Sequence, residues 1–310
     1  MSSFSISRRH ALLGAAALPF ATALMGTPTL AKADMQGAAS ATFNRFKLGA
    51  FEVTTLLAGT ATVDKPQKIF GLNASPEDFA AASTAAFIPA DKVQFFFTPT
   101  LVNTGAELIL FDTGMAPEGI LAALTGAGVT ADQIDVVVLT HLHPDHIGGM
   151  AASGAATFPT ARYVTGAVEH NYWAGAANEL FDANVKPHSN QMTMLDDGGT
   201  VVPGITAMAA FGHTPGHFAY NLESAGQRLV ITADTANHYV WSLAKPDWEV
   251  KFDADKPAAA ATRKSVFGML AADRVPFIGY HMPFPGIGYV EAAGDGFRYV
   301  PASYQMMLNG

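Results

Sequence analysis

The sequence predicts an α+β fold in which two β-sheets pack face to face and helices cover their outer faces. Three observations support this prediction. Segments with strand character dominate each half of the 310-residue chain, helix candidates close each half, and no short-period repeat divides the chain into smaller domains. A hydrophobic content of 49% and a charged content of 14% suit one well-packed domain of this length.

The first 33 residues are typical of a bacterial export signal rather than of a folded domain. Ser7-Arg8-Arg9 precedes an apolar stretch from Ala11 to Met25, and Ala31-Lys32-Ala33 provides a small-X-small cleavage site. The arginine pair favours twin-arginine export, with the periplasm as the destination. Because the apolar stretch is short for a bilayer span, we expect cleavage rather than a stable membrane anchor. Residues 34–310 then form the single folded domain.

The elements of the first half follow from local patterns, in which alternating apolar residues predict strands and helix formers bounded by Gly or Pro predict helices. The predicted elements are a strand at 51–56, a short helix near 76–86, a hairpin of 94–102 and 107–111 around a turn at 103–105, a helix at 116–125, a buried strand at 135–140, a strand at 161–165 and a helix at 167–174.

The second half repeats this organisation, although its sequence shows no obvious similarity to the first half. The predicted elements are strands at 201–205 and 206–211, a second hairpin of 218–223 and 228–233, a helix at 258–272 and a last strand at 275–279. The alanine-rich helix is the clearest of all the helix candidates, because alanine has the highest helix propensity.

The strongest chemical signal is the run of three histidines and one aspartate within residues 141–146, directly after a predicted buried strand. In extended chain, side chains at positions i and i+2 point the same way, so His141 and His143 can bind one ion together. The proline that follows turns the chain. Asp145 and His146 can then face a second ion, and the run predicts a metal site rather than a polar loop.

Three later residues are candidates to complete this site. His213 lies in a Gly- and Pro-containing turn, whereas Asp234 and His281 each follow a predicted strand. Taken singly, they could equally be a turn histidine, a helix cap and a core histidine. Together with the run at 141–146 they give five histidines and two aspartates, which suits two divalent ions and a hydroxide held between them.

The composition restricts both the metal and the partners. The chain has no cysteine, so the ligands must be nitrogen and oxygen, which favours Zn²⁺ and leaves Mn²⁺, Fe²⁺ and Co²⁺ open. The net charge of −8 becomes −11 after loss of residues 1–33, which contain three basic residues and no acid. Such a charge argues against nucleic acid as a partner. We therefore expect a small-molecule substrate, and a homodimer is left open.

With these residues in view, the sequence resembles the metallo-β-lactamase-fold superfamily. The His-X-His-X-Asp-His motif at 141–146 is its most specific mark, and Asp112 is similar to its early structural aspartate. The resemblance implies a four-layer αββα sandwich with the site at one edge between the sheets. It also implies a division of ligands in which Asp234 is shared by both metals. One metal takes His141, His143 and His213, and the other takes Asp145, His146 and His281.

A bridging aspartate such as Asp234 is typical of the glyoxalase II, lactonase and phosphotriesterase relatives rather than of true β-lactamases. Segments 101–105, 212–217, 284–288 and 297–301 are most similar to the methyl parathion hydrolases. The resemblance implies an exported dinuclear hydrolase of organophosphate triesters, aryl esters or lactones that uses a metal-bridging hydroxide. Tyr289 stands where that group has a histidine, so the substrate pocket differs.

Further roles are predicted for residues around the metals. Asp145 and Asp234 are the predicted catalytic residues, whereas His217 and Asp112 are expected to hold ligands in place by hydrogen bonds. Aromatic residues near the motifs are pocket candidates, with Trp173 and Phe284 favoured: Phe95, Phe96, Phe97, Tyr172, Trp173, Phe181 and Phe284. The alternatives are a quorum-quenching lactonase as the main activity, a persulfide dioxygenase with one iron, and a non-catalytic metal-binding protein.

Overall fold

The computed structural model describes residues 34, 37–152 and 154–308, and the compact unit spans residues 41–310. The predicted export signal at 1–33 lies outside the described residues. None of the described helices combines the length and the apolar character that a bilayer span requires.

Strands account for most of the regular structure in the described residues. In chain order they are β1 (Phe43–Leu48), β2 (Phe51–Leu56), β3 (Gly59–Asp64), β4 (Lys92–Phe97), β5 (Thr100–Asn103), β6 (Leu108–Phe111), β7 (Val136–Val138), β8 (Ala151–Ala152), β9 (Ala155–Ala156), β10 (Arg162–Gly166), β11 (Thr193–Leu195), β12 (Thr200–Val202), β13 (Ile205–Ala209), β14 (Phe218–Ser224), β15 (Gln227–Ala233), β16 (Phe277–Gly279), β17 (Ile287–Ala293) and β18 (Gly296–Pro301).

The helices are short, except for the last α-helix. They are α1 (Pro76–Ala85), α2 (Pro117–Gly126), α3 (Pro144–Ile147), α4 (Ala167–Gly175), α5 (Glu179–Asn184) and α6 (Lys256–Asp273). Short 3₁₀ segments occur at Pro66–Lys68, Ala131–Gln133, Gly148–Met150, Lys186–Gln191 and Tyr304–Met306, and Tyr239–Ala244 is a π-helical segment.

The strands form two seven-stranded sheets, one from each half of the chain. The first sheet has the order β1-β2-β5-β6-β7-β10-β11, and the second has the order β12-β13-β14-β15-β16-β17-β18. Pairing is antiparallel except for the four parallel pairs β6–β7, β7–β10, β10–β11 and β15–β16. The pairs β3–β4 and β8–β9 form separate two-stranded sheets.

Burial shows why the sheets pack in layers. In β7, Val136 and Val138 face the core between the two sheets, whereas Val137 faces the opposite way, towards α2. In β15, Leu229 and Ile231 face the inter-sheet core, and the residue between them packs beneath α6. Because successive strand side chains alternate between faces, each sheet has two apolar faces. The predicted αββα sandwich is confirmed.

The first predicted hairpin is present, but its first strand is shorter than predicted. Residues 94–102 do not form a single strand, because the chain leaves β4 after Phe97 and enters β5 only at Thr100. Pro99 lies in this gap and cannot donate to a strand ladder. The hairpin with β6 therefore involves only β5, while β4 pairs with β3. Strands β17 and β18 were not predicted at all.

Candidate metal centre

The carboxyl end of β7 delivers the first ligands. The strand lies between β6 and β10, so its valines are buried on both faces and its position is fixed. The chain then leaves the first sheet at one edge of the sandwich, between the two sheets. His143 precedes α3, whose first residue is Pro144, and this turn orients Asp145 and His146 beside the first pair of histidines.

One group of three histidines converges at this edge. The Nε2 atom of His141 lies 3.1 Å from Nδ1 of His143, and the same Nδ1 atom lies 3.0 Å from Nε2 of His213. His213 belongs to the turn after β13, so this group joins both sheets. Burial first, and then the neighbouring imidazoles, lower the pKa of His141 well below its usual range and that of His143 to about 3. Both rings are therefore neutral near pH 7, as metal ligands must be.

A second group lies beside the first. The Oδ2 atom of Asp145 is 3.2 Å from Nε2 of His281 and 3.7 Å from Nε2 of His146. His281 follows β16 of the second sheet. Although burial opposes protonation of His281, Asp234 and Asp145 raise its pKa to about 10. The site thus attracts positive charge, and a bound cation would replace that proton.

Asp234 connects the two groups. Its Oδ2 atom is 3.3 Å from Nε2 of His213 and 3.2 Å from Nε2 of His281, and its Oδ1 atom is 3.4 Å from Nε2 of His146. The residue follows β15 and is 3% exposed. It is therefore placed as a ligand shared between two ions would be.

The donor atoms fit a pair of divalent cations. Two of them, Nε2 of His146 and Oδ1 of Asp234, are buried and have no hydrogen-bond partner in the described part of the chain. Leaving both unsatisfied would be costly, whereas coordination would satisfy them. Within each group the donor atoms of three residues lie within 4.8 Å of one another: His141, His143 and His213; His141, His146 and Asp234; and Asp145, His146 and His281. A ligand set that contains only nitrogen and oxygen atoms suits Zn²⁺.

Hydrogen bonds at the far nitrogens of His146 and His281 fix the orientation of these two rings. Nδ1 of His146 lies 2.9 Å from Oδ2 of Asp112, and Asp112 also accepts from the backbone N–H of Thr140 at 2.9 Å. Nδ1 of His281 donates to the carbonyl of Phe96 at 2.9 Å. Asp112 thus lies where the sequence places it, behind a ligand. Such partners fix the tautomer and turn the other nitrogen towards the metal.

The partner of His213 was not predicted from the sequence. Its Nδ1 atom lies 2.9 Å from Oδ1 of Asp253, whose Oδ2 atom accepts from the guanidinium of Arg263 at 2.9 Å. Asp253 and Arg263 are 3% and 1% exposed. This buried ion pair holds the His213 ring, and no sequence pattern linked the three residues.

His217 supports the site without being a ligand. Its Nδ1–H donates to the carbonyl of Ala210 at 3.1 Å, so Nε2 is free to accept from the backbone N–H of Asp234 at 3.1 Å. The sequence predicts this role. Burial first, and then the neighbouring His213, lower the pKa of His217 to about 3.

This low pKa predicts a pH dependence of stability. Between pH 6.5 and about 3 the unfolded chain binds a proton at position 217 that the folded protein does not, so folding weakens as the pH falls. His217→Gln keeps an acceptor for Asp234 and removes this titration. In chelator-treated protein, we expect the variant to lower the slope of unfolding free energy against pH by about 1 kcal/mol per unit.

Urea unfolding at pH 7, 6 and 5 measures that slope. The control is His170→Gln, because His170 is partly exposed and burial lowers its pKa less than that of His217. An unchanged slope in His217→Gln, with the control also unchanged, would show that His217 is not held neutral.

A buried carboxylate that the sequence did not indicate joins the two ligand loops. In Glu169 of α4, Oε1 accepts from the backbone N–H of Leu142 at 3.0 Å and from the indole N–H of Trp173 at 2.7 Å. Its Oε2 atom accepts from the Thr214 hydroxyl at 2.7 Å and from the backbone N–H of Gly216 at 2.9 Å. Glu169 is fully buried. It therefore ties the segment around His141 to the turn around His213.

A cavity of about 440 Å³ opens above the ligands. Besides His143, Asp145, Asp234 and His281, its walls are mainly apolar: Val63, Ile69, Phe95, Phe97, Met115 and Phe252. Of the pocket candidates, Phe95 and Phe97 belong to this lining, whereas the favoured pair does not. Trp173 contacts the His143 ring edge-on at 5.8 Å, but its N–H is held by Glu169. Phe284 is half-buried outside the cavity lining.

Two solved structures resemble this chain over most of its length. The dizinc quorum-quenching lactonase AidC, in complex with a product, matches with 26% identity and a TM-score of 0.77, over 85% of this chain and 98% of AidC. The hydrolase AbOPH of the β-lactamase superfamily matches with 25% identity and a TM-score of 0.79, over 86% of this chain and 100% of AbOPH.

The curated relatives match over shorter stretches. The atrochrysone carboxyl ACP thioesterase of Aspergillus fumigatus is 29% identical over 140 residues, which are 44% of this chain and 38% of the thioesterase. Ribonuclease Z of Mycolicibacterium gilvum is 43% identical over 51 residues, which are 16% of this chain and 17% of that enzyme. The chain thus spans less than two-fifths of either relative.

The family model of the metallo-β-lactamase superfamily matches residues 98–276. This range is more than half of the chain, and it contains six of the seven residues that converge in the structure, with only His281 beyond it. The fold, the arrangement of the ligands and the similarity to a dizinc enzyme agree with this match. The chain belongs to the metallo-β-lactamase superfamily.

Proposed function

We propose that this protein hydrolyses uncharged ester-type substrates, namely lactones, aryl esters or organophosphate triesters, with two Zn²⁺ ions. The observation that carries this proposal is the cavity above the ligands. Its lining contains neither lysine nor arginine, and the residues above the ligands are aliphatic, aromatic or methionine. Removing an anionic group from water without a partner costs several kcal/mol. A neutral substrate incurs no such cost.

The same observation separates substrate classes within the superfamily. A β-lactam antibiotic carries a carboxylate, and RNA carries a charge at each phosphate, so cationic side chains in the pocket would favour both. A lactone with an acyl chain, an aryl ester and a phosphotriester each combine a polar reacting centre with an apolar body. Such molecules match a polar floor beneath apolar walls.

The reaction chemistry is divided between the ions and the chain. When bound, two divalent ions supply Lewis acidity and lower the pKa of water towards neutrality. Asp234 would be a ligand to both ions. Asp145 contacts His146 and His281 through Oδ2, so Oδ1 is the oxygen that we assign to carry a proton towards the leaving group. Phe95 and Phe97 exclude water from one side.

The comparisons support the ester class and the metal. AidC is a dizinc lactonase whose structure contains the product N-hexanoyl-L-homoserine. A persulfide dioxygenase with one iron is the alternative from another reaction class. Three overlapping groups of ligand atoms favour two ions over one. We further propose that residues 1–33 direct export by the twin-arginine route, with the periplasm as the site of action.

A substrate panel tests this proposal on full-length, zinc-loaded protein. Methyl paraoxon is a neutral triester and bis(p-nitrophenyl) phosphate an anionic diester with the same leaving group. The value of kcat/KM for each substrate is divided by the rate of its uncatalysed hydrolysis. We expect this ratio to be at least about 100-fold higher for the triester, N-hexanoyl-homoserine lactone or p-nitrophenyl acetate than for the diester or a cephalosporin. Preference for either anionic substrate would contradict the proposal. One iron per chain with oxygen uptake would favour the dioxygenase.

A further inference from the structure

A second cavity lies on the far side of the two-stranded sheet formed by β3 and β4. The side chains of Val63, Phe95 and Phe97 face the metal centre, because alternate residues of a strand share one face. The intervening residues Thr62 and Phe96 line a different cavity, of about 390 Å³. The two-stranded sheet of β3 and β4 therefore forms one wall of each of two chambers.

Aromatic side chains form part of the lining of the second chamber. Tyr239 and Trp241 contribute from the π-helical segment, and Phe96 from β4. Ile88 and Pro89 add aliphatic surface after α1. A planar aromatic molecule could therefore contact both aromatic and aliphatic side chains there.

One hydrogen-bond donor in this lining has no partner. His238 is 7% exposed, and its Nδ1 atom accepts from the backbone N–H groups of Val240 and Trp241, both at 3.1 Å. The proton of the neutral ring is therefore on Nε2. Within residues 37–152 and 154–308, no hydrogen bond from this Nε2 atom is found.

The geometry of the ring directs this donor into the chamber. The His238 ring stacks on Trp241 with centroids 4.1 Å apart and on Tyr239 with centroids 4.9 Å apart. Neighbouring rings stack on the His238 ring, and its Nδ1 atom is bonded to the backbone. The ring edge that carries Nε2 is therefore the part that lines the cavity. A ligand oxygen placed in the chamber would accept from this N–H.

The chamber favours an uncharged ligand. Burial first, and then the neighbouring His281, lower the pKa of His238 to about 3, so the ring donates without carrying charge. The cationic side chain at the rim, Lys92, is 59% exposed and lies 3.8 Å from Asp64. Apart from His281, which is assigned to a metal, the lining contains no buried ionised side chain among the described residues to compensate an anionic ligand.

We propose that this second chamber is a binding site for a neutral, flat molecule with one acceptor oxygen, of the aromatic ketone or amide class. The oxygen accepts from Nε2 of His238, and the ring lies against Phe96 and Tyr239. The chamber shares a wall with the metal centre, because His281 lines both cavities and its Nδ1–H donates to the carbonyl of Phe96. A molecule bound there would lie against a residue that orients a metal ligand.

Acetophenone tests this site, since it has a flat ring and one carbonyl oxygen but no bond that an esterase can hydrolyse. We expect saturable binding to full-length, zinc-loaded protein with a Kd of about 1 mM, measured by ligand-observed NMR. Thr62→Phe should block the chamber and raise Kd at least about tenfold. His238→Asn keeps an acceptor for the backbone N–H groups, but its shorter side chain places no donor at the Nε2 position, and it should raise Kd about fivefold.

The matched control is Val63→Phe, the same residue introduced one position along β3 on the opposite face. It should leave the Kd of acetophenone unchanged. Gln94→Phe, on the strand opposite Thr62, replaces the first variant if that protein does not fold by circular dichroism. The proposal is overturned if wild-type protein shows no saturable binding, if either chamber variant binds normally, or if Val63→Phe alone weakens binding, which would place the probe above the metals.

Discussion

Asp234→Ala is expected to lower zinc content from about two ions per chain to one or fewer and to reduce kcat/KM by at least about 100-fold. Loss of a side chain that only orients a metal ligand already costs 10- to 100-fold. Asp234 is placed to contact both ions, through atoms 3.2–3.4 Å from His146, His213 and His281. Without its charge, two adjacent cations would repel each other with only Asp145 to compensate.

Metal analysis by mass spectrometry, together with hydrolysis of the best substrate in the panel, measures both effects. Asp182→Ala is the matched control. This aspartate lies on α5 and forms an exposed ion pair with Lys186. Exposed pairs contribute little to stability, so zinc content and turnover should remain at the wild-type values. If Asp234→Ala retained two ions and full turnover, Asp234 would not bridge the metals.

Glu169→Gln is expected to destabilise the metal-free protein by about 3 kcal/mol and to weaken zinc binding at least about tenfold. The carboxylate accepts four hydrogen bonds in a fully buried position, two at each oxygen. An amide can accept at only one end, so its NH₂ group would oppose two donors, those of either Leu142 and Trp173 or Thr214 and Gly216. Leaving buried donors unpaired costs more than the bonds contribute.

Calorimetric unfolding of chelator-treated protein gives the stability term, and competition with a chromogenic chelator gives the zinc affinity. Glu223→Gln on β14 makes the same chemical change on an exposed strand residue and should alter neither quantity. A Glu169→Gln protein with normal stability but weak zinc binding would place the residue at the metals rather than between the loops.

The parts of the site that the sequence predicts correctly are those encoded locally. The strand before His141 and the turn at Pro144 lie within ten residues of each other, so their spacing alone determines which side chains can converge. The second-sheet candidates were placed by a similar rule, because His213, Asp234 and His281 each follow a strand. Which strand ends meet depends on sheet order, and only the structure supplies that order.

The residues that the sequence missed act over long separations. Glu169 contacts residues 27 to 47 positions away, and Asp253 lies 40 positions from His213. A single acidic residue on a predicted helix or loop carries no local pattern that marks it as buried. The favoured pocket residues were chosen on the same local grounds. Trp173 lies close to His143, yet its indole is oriented by Glu169, and the apolar walls come instead from β3 and β4.

The division of ligands between the sheets also bears on how fast the metals leave. Residues 141–146 follow a strand of the first sheet, whereas His213, Asp234 and His281 follow strands of the second. The ions would join the two sheets at one edge of the sandwich. Their departure would therefore require the ligands of the two sheets to move apart. The rate of zinc loss to a chelator would then reach a plateau as chelator concentration rises, set by the opening of the edge. Backbone amides beside the ligands would exchange hydrogen at a rate equal to this plateau rate of zinc loss.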